Sequence, residues 1–294
     1  MKEEVAANGG ERLGESAWKH LIVSRDGPTV EVELHRPSAR NALNAAIIKE
    51  LTEVARLLRR RSDVLAVILA GGETNFSAGA DLSAGEADAA VGPSKVPTLL
   101  EAREELMTGP DLCRAWEEIE AVTIAAIEGY CLGGGCAIAM ACDFRIMAEG
   151  AYMRLPEIPL GMNMSWNSVP RITTLVGPSR AKRFVILGEA VDAETCVGWG
   201  MADEVTKKGE ARAVSRAWAA KVSTLPPIPV RMTKEAINAQ ATATHLISSF
   251  ADRDQFLLTS RNGGLQRGYR CIPRKTETCL SGELGYGKRA APPC

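Results

Sequence analysis

The stretch VTIAAIEGYCLGGGCAIAMAC, residues 122–142, runs from one apolar segment through a glycine-rich loop into another. Residues 122–127 are apolar and β-branched, which suits a strand covered on both faces, as in a parallel sheet with helices above and below. Residues 128–136 supply small side chains and a glycine triplet, and residues 137–142 read as an apolar helix. Upstream, residues 65–70 form a second buried-strand pattern, followed by the turn Gly71-Gly72 and another small-residue loop, residues 75–82. Before that, Ile47, Leu51, Val54 and Leu58 recur at helical spacing within residues 45–61, with Lys49, Glu50, Glu53 and Arg56 opposite. Val30, Val32 and Leu34 alternate with Glu31, Glu33 and His35, the pattern of a half-exposed strand that Pro37 ends. Strand and helix in repeated alternation predict an α/β domain with parallel strands. Beyond Val205 the pattern turns helical, with helices expected over residues 210–222, from Pro229 through Lys234 and Ala239, and over residues 245–260.

A chain of 294 residues can bury a large core, and one domain with a helical appendage is expected. The formal net charge of −1 offers no positive excess for nucleic acid or an anionic membrane, so small-molecule chemistry is favoured. Cys113, Cys131, Cys136, Cys142 and Cys196 are scattered through apolar sequence with no C-x-x-C spacing and read as buried reduced thiols. Residues 1–17 carry Glu and Gly and no apolar core, which fits a flexible segment and neither a secretory signal nor a transit peptide. No run of about 18 apolar residues predicts a membrane span, and a cytoplasmic enzyme is expected.

The two loops carry the chemistry. Small residues let a ligand approach backbone N–H groups, and the second loop aims a helix N-terminus, with its partial positive charge, at whatever binds there. Two such donors would form an oxyanion hole, in which each is typically worth about 2.7–4 kcal/mol of transition-state stabilisation. A glycine triplet alone serves a tight strand-to-helix turn equally well. The pairing is more telling. The segments VEVELHRPSARNALN, FSAGADL, AAIEGYCLGGGCAIAMACDFRIMAE and RLPEIPLGM stand in the order and approximate spacing of the enoyl-CoA hydratase/isomerase (crotonase-like) superfamily, which the chain resembles from about residue 18 to 205.

That resemblance implies a spiral of repeated β-β-α turns with a C-terminal helical region, assembled as a homotrimer or homohexamer. It implies an acyl-CoA thioester substrate, with coenzyme A bound as part of it and no metal, nicotinamide or flavin. His20, His35 and His245 lie far in sequence from any ligand grouping. The oxyanion donors implied are the N–H groups of Ala78 and Gly134. Ala78, Gly79, Ala80, Asp81 and Leu82 are implied to line the substrate and adenine pocket, together with Gly133 and Gly134. The catalytic acid of the later loop corresponds to Glu157, whose neighbours Leu155, Ile158 and Leu160 would desolvate it and raise its pKa. Hydratases of the family use a second glutamate two residues after the triplet. Here that position is Ala137. A lone base fits movement of an enoyl double bond better than hydration, although single-acid members are also called hydratases. Residues 161–167 depart from the family's glycine-rich sequence there: Asn163, Ser165 or Asn167 could hold a water, and Trp166 either walls an acyl pocket or packs in the core. Hydrolysis or carbon–carbon cleavage of a thioester, and non-catalytic acyl-CoA or RNA binding, are the other readings left open.

The tail, residues 261–294, holds Cys271, Cys279 and Cys294 and has no amphipathic period. Relatives end in a helix resembling EDYKEGxxAFxEKRxPxFxG. Back-translated from Asn262 with permitted codons and read one nucleotide later, the tail yields MEDYKEGTGAFLEKRKPVFQGN and then a stop, which predicts a frameshift product without folded structure.

Overall fold

The described residues form two sheets. The computed structural model describes residues 18–81 and 98–261. Leu82, the segment 1–17 and the tail from residue 262 lie outside the described residues. In the larger sheet β1 (Leu21–Asp26) pairs antiparallel with β2 (Thr29–Leu34), and parallel strands β3 (Ala66–Ala70), β5 (Val122–Ile127), β7 (Phe144–Ala148) and β10 (Glu204–Thr206) follow in that order. The smaller sheet orders β4 (Asn75–Ser77), β6 (Tyr130–Leu132), β8 (Tyr152–Arg154) and β9 (Val191–Asp192), with only the last pair antiparallel. Each turn of the chain therefore places one strand in each sheet: β3 then β4, β5 then β6, β7 then β8. This is the expected β-β-α spiral. All residues of β3 and β5 are buried, as their unbroken apolar runs require.

Helix α1 (Ala45–Leu58) starts where the Asn44 side chain accepts the Ile47 N–H at 3.1 Å, and ends three residues before the expected Arg61. Its apolar stripe, Ile47, Leu51, Val54 and Leu58, is wholly buried. Helices α2 (Leu99–Glu105) and α3 (Thr108–Glu117) precede β5, and Trp116 of α3 is buried with its indole N–H on the Leu51 carbonyl at 3.2 Å. Helix α4 (Gly134–Ala141) begins at the triplet itself, earlier than the expected residue 137. The cause is Gly133, whose φ of 46° and ψ of −117° suit glycine and release the chain into the helix one residue later.

One expectation about β2 is overturned. Its polar face is not open to solvent: Glu31 is only 8% exposed, because α7 (Ala211–Ser223) lays Arg216 and Arg212 on it. Arg216 meets Glu31 at 2.7 Å, and Arg212 meets Glu33 at 2.8 Å. Alternation reported the strand correctly but not the helix that covers it.

Helix α5 (Ser168–Leu187) is kinked at Gly177, before Pro178, and α6 (Ala193–Trp199) follows β9. The C-terminal region continues with α8 (Pro227–Thr242), α9 (His245–Ser249) and α10 (Asp252–Arg261), so the single helix expected over residues 245–260 is two short ones. The five cysteines from Cys113 to Cys196 are free and buried, and burial pushes the thiols of Cys113 and Cys142 up to about 12, which leaves them unreactive. Among the described residues no helix is long and apolar enough to cross a membrane.

Candidate active site

The loop after β4 is held by residues 36–44. Arg40 and Asn41 both take left-handed backbone angles, φ 54°, which Asn tolerates better than most residues. Asn41, 3% exposed, accepts the Arg36 N–H at 2.9 Å and donates its side-chain amide to the Phe76 carbonyl at 3.3 Å. The Ser77 hydroxyl donates to the Asn41 carbonyl at 2.7 Å. Asp81 pairs with Arg36 at 2.6 Å, so its carboxylate closes the polar end of the loop.

Three of the four N–H groups of residues 78–81 can be followed to an acceptor. Ala78 donates to the Arg40 carbonyl at 3.1 Å, Gly79 to the Ser77 hydroxyl at 3.1 Å, and Asp81 to the Leu43 carbonyl at 3.1 Å. Only Ala80, among residues 78–81, keeps an N–H without an acceptor among the described residues, and Ala80 is exposed. The expectation for Ala78 is corrected on this ground: its N–H is already engaged with Arg40.

Gly134 is the first residue of α4, and a helix leaves its first N–H groups without intrahelical acceptors. The two loops touch glycine to glycine. A methyl on Gly79 would meet the Leu132 carbonyl oxygen at 2.8 Å and stand 3.4 Å from the Gly134 nitrogen. A substituent on Gly79 would push the loops apart, which is the physical reason for glycine here.

Glu157 lies against the same point. A methyl on Gly133 would meet Glu157 Oε1 at 2.6 Å, while Oε2 is buried without any hydrogen-bond partner. The loop holding it is tied by Met162 N–H to the Glu157 carbonyl at 2.8 Å and Leu160 N–H to the Pro156 carbonyl at 3.0 Å. Desolvation pushes the Glu157 carboxyl up to about 7, with its own backbone N–H opposing, so it titrates near neutral pH. Ala137 is fully buried within α4.

On the other side of Gly134 stands Trp166. A methyl on Gly134 would meet its Cη2 at 2.8 Å, and one on Gly109 of α3 would run into the same indole. Trp166 and Asn167 are left-handed at φ 64° and 54°, an unusual conformation for a bulky side chain. Arg171, anchored by Glu117 at 2.9 Å, donates to the Trp166 and Asn167 carbonyls at 3.3 and 2.9 Å. Asp252 of α10 accepts the Asn167 N–H at 3.0 Å, and burial pushes its carboxyl up to about 6. Asn163 turns to α10 as well, its N–H on Thr259 at 3.2 Å and its side chain on Gln255 at 3.3 Å. Asp252 carried no signal in the sequence, since nothing local announces that it will meet Asn167, 85 positions away, and Arg171, although local to Trp166 and Asn167, is anchored by Glu117 from 54 positions away. Among the described residues, no three His, Cys, Asp or Glu side chains are grouped as a metal site requires, and His245 is bonded to Thr174 at 3.1 Å.

The model of the family described as enoyl-CoA hydratase/isomerase matches residues 26–269. The short-chain-enoyl-CoA hydratase of Clostridium acetobutylicum is 34% identical over 220 residues, covering 74% of this chain and 81% of that protein. The crotonyl-CoA hydratase of Syntrophomonas wolfei is 30% identical over 223 residues, covering 76% of this chain and 82% of that protein. The crystal structure of an enoyl-CoA hydratase from Mycobacterium avium subsp. paratuberculosis superposes with a TM-score of 0.76 at 22% identity, covering 88% of this chain and all of that one, a likeness of fold.

Proposed function

Since the chain belongs to the enoyl-CoA hydratase/isomerase family, we propose that it binds an acyl-CoA thioester with the carbonyl oxygen between the N–H groups of Ala80 and Gly134, and that Glu157 moves the proton. The observation that carries this reading is the Glu157 carboxyl, whose Oε1 lies against Gly133, one residue from a free helix-terminal donor, and whose Oε2 is buried without a hydrogen-bond partner. An enolate forming from the thioester places negative charge on the thioester carbonyl oxygen, where two preset donors stabilise it more than they stabilise the neutral carbonyl. A carboxylate that titrates at about 7 is strong enough to take an α-proton and acidic enough to return it. With one carboxylate, the balanced reaction is a shuttle: Glu157 takes a proton from C2 of a 3-enoyl-CoA, the dienolate is held, and the same acid protonates C4 to give the 2-enoyl-CoA.

Hydration is the second reading, favoured by the names of the relatives at 34% and 30% identity. It asks for a second group to orient water, and the implied position holds the buried methyl of Ala137. Double-bond migration is expected to outrun hydration, and a crotonyl-CoA hydration rate of roughly 10 per second or more would reverse that order. Incubation with 3-enoyl- and 2-enoyl-CoA, followed by absorbance of the conjugated thioester, separates the two. In the same assay Glu157→Gln should lose at least about a hundredfold in turnover while keeping coenzyme A binding. Near-normal turnover in that variant removes Glu157 from the mechanism.

We also propose a homotrimer or homohexamer. Supporting it are the exposed side chains Ile228, Met232 and Ile237 on α8 and Leu246 and Ile247 on α9, apolar surface that a lone chain leaves in water. Sedimentation equilibrium tests it, and a monomer across the micromolar range would count against it.

A further inference from the structure

The strained backbone at Trp166 and Asn167 is held in place from two directions, and it presents one aromatic ring to the donor end of α4. We infer that the Trp166 indole is the end wall of the acyl pocket and restricts this protein to short acyl chains. The inference rests on the thioester site proposed above and adds its specificity.

The two ends of that site differ in chemistry. At the first loop the Arg36–Asp81 ion pair makes the surface polar, a surface suited to the amide and phosphate groups of coenzyme A rather than to hydrocarbon. At α4, Gly133 faces Glu157 and Gly134 faces the indole, so the base and the ring flank the donor on successive residues. An α-carbon within reach of Glu157 directs the rest of the acyl chain toward the apolar ring. The ring fills the space beside Gly134 so closely that even a methyl there would stand 2.8 Å from it. Its other edge rests on Gly109 of α3, which lacks the side chain that would keep it out.

A wall must also stay in place. Left-handed angles at two consecutive non-glycine residues persist only where the surroundings over-determine them. Here Arg171 holds both carbonyls, Glu117 holds Arg171, and Asp252 holds the Asn167 N–H. These bonds fix the backbone that carries the indole, and the ring itself is confined between Gly109 of α3 and Gly134 of α4. A fixed apolar wall discriminates by chain length, where each added methylene that does not fit costs roughly tenfold or more.

The test compares the full-length protein with Trp166→Gly and Trp166→Phe. Glycine suits the left-handed angle at this position, so the first variant removes the ring without opposing the backbone. Dissociation constants for saturated four-, eight- and twelve-carbon acyl-CoAs are measured by calorimetry, and turnover on the matching 2-enoyl- and 3-enoyl-CoAs in parallel. The unaltered protein should bind the four-carbon ligand at least about tenfold more tightly than the twelve-carbon one, and Trp166→Gly should abolish or invert that ratio, with Trp166→Phe between. An unaltered protein that binds all lengths alike, or a Trp166→Gly protein with the original ranking, overturns the inference. The expected binding ladder without turnover would leave the wall standing and defeat the proposed reaction instead. Absence of acyl-CoA binding at any length would defeat both.

Discussion

The two loops on either side of Gly134 are built by opposite means. Residues 75–81 are fixed by main-chain hydrogen bonds and by Asn41 and Ser77 reaching nearby backbone, and what they offer a ligand is a backbone N–H. In residues 155–167 the turn at Glu157 is closed by its own main-chain hydrogen bonds, but residues 163–167 are fixed by side chains of α5 and α10, and what the loop offers is two side chains, Glu157 and Trp166. The first loop depends on the absence of side chains, the second on their identity. A substitution should therefore be irreparable in one and open to compensation in the other.

Gly79→Ala and Gly134→Ala should have the largest effect and divide the loops most sharply. A methyl on Gly79 meets the Leu132 carbonyl at 2.8 Å, and its φ of 85° already disfavours alanine, so turnover should fall by more than about tenfold and no second substitution should restore it. The three atoms nearest a methyl on Gly134 all belong to the indole, so its loss of about tenfold should be partly recovered by combining it with Trp166→Phe. Steady-state kinetics of the two single variants and the double variant decide this, and equal recovery at both glycines would erase the distinction.

Next in size is a pH-dependent stability confined to the second loop. Burial raises the folded-state pKa of Glu157 from 4.5 to about 7, so the neutral acid is the form the fold prefers. That contribution is fully present below 4.5 and is lost as pH rises through about 7. Glu157→Gln should accordingly match the unaltered protein near pH 4 and exceed it at pH 8 by about 1–3 kcal/mol in thermal or denaturant unfolding. A difference independent of pH would show that the carboxyl is solvated. The same carboxylate must be ionised to act as a base, so turnover should rise over the pH range in which stability falls.

The smallest effect is expected at Asp252. Asp252→Ala leaves the part-buried Asn167 N–H without its acceptor, at a cost of about 1 kcal/mol, and should speed amide exchange at Asn167 without changing exchange at Ala78 or Asp81. Faster exchange in both loops would mean that they are not independently held.

Much of this was legible from residue order. The all-apolar runs of β3 and β5 announced strands buried on both faces, the spacing of Ile47, Leu51, Val54 and Leu58 announced α1, and each glycine loop marked a close approach. Those signals are local, because strand burial, helix periodicity and glycine permissiveness act within a few residues of chain. The resemblance pointed to Glu157 and Gly134, and the structure sets them on either side of Gly133. It also pointed to Ala78, and here order was insufficient, because whether an N–H is free depends on where every nearby carbonyl lies. The Arg40 carbonyl, brought in by a left-handed turn some forty residues earlier in the chain, takes the Ala78 proton and leaves that of Ala80. Glu31 looked exposed for the same reason: the arginines that bury it are on α7, at the far end of the sequence. Trp166 could be read as wall or core from its type alone, since a large aromatic is buried in either role. The backbone that sets it beside Gly134 is held by Arg171, itself anchored on Glu117 of α3, and by Asp252, which meets Asn167 only once α5 and α10 have packed. Sequence determined the elements and the kinds of group available to the chemistry. Tertiary packing decided which donor is free, which carboxylate is desolvated and which ring faces it, because each is a property of neighbours that the chain brings together only by folding.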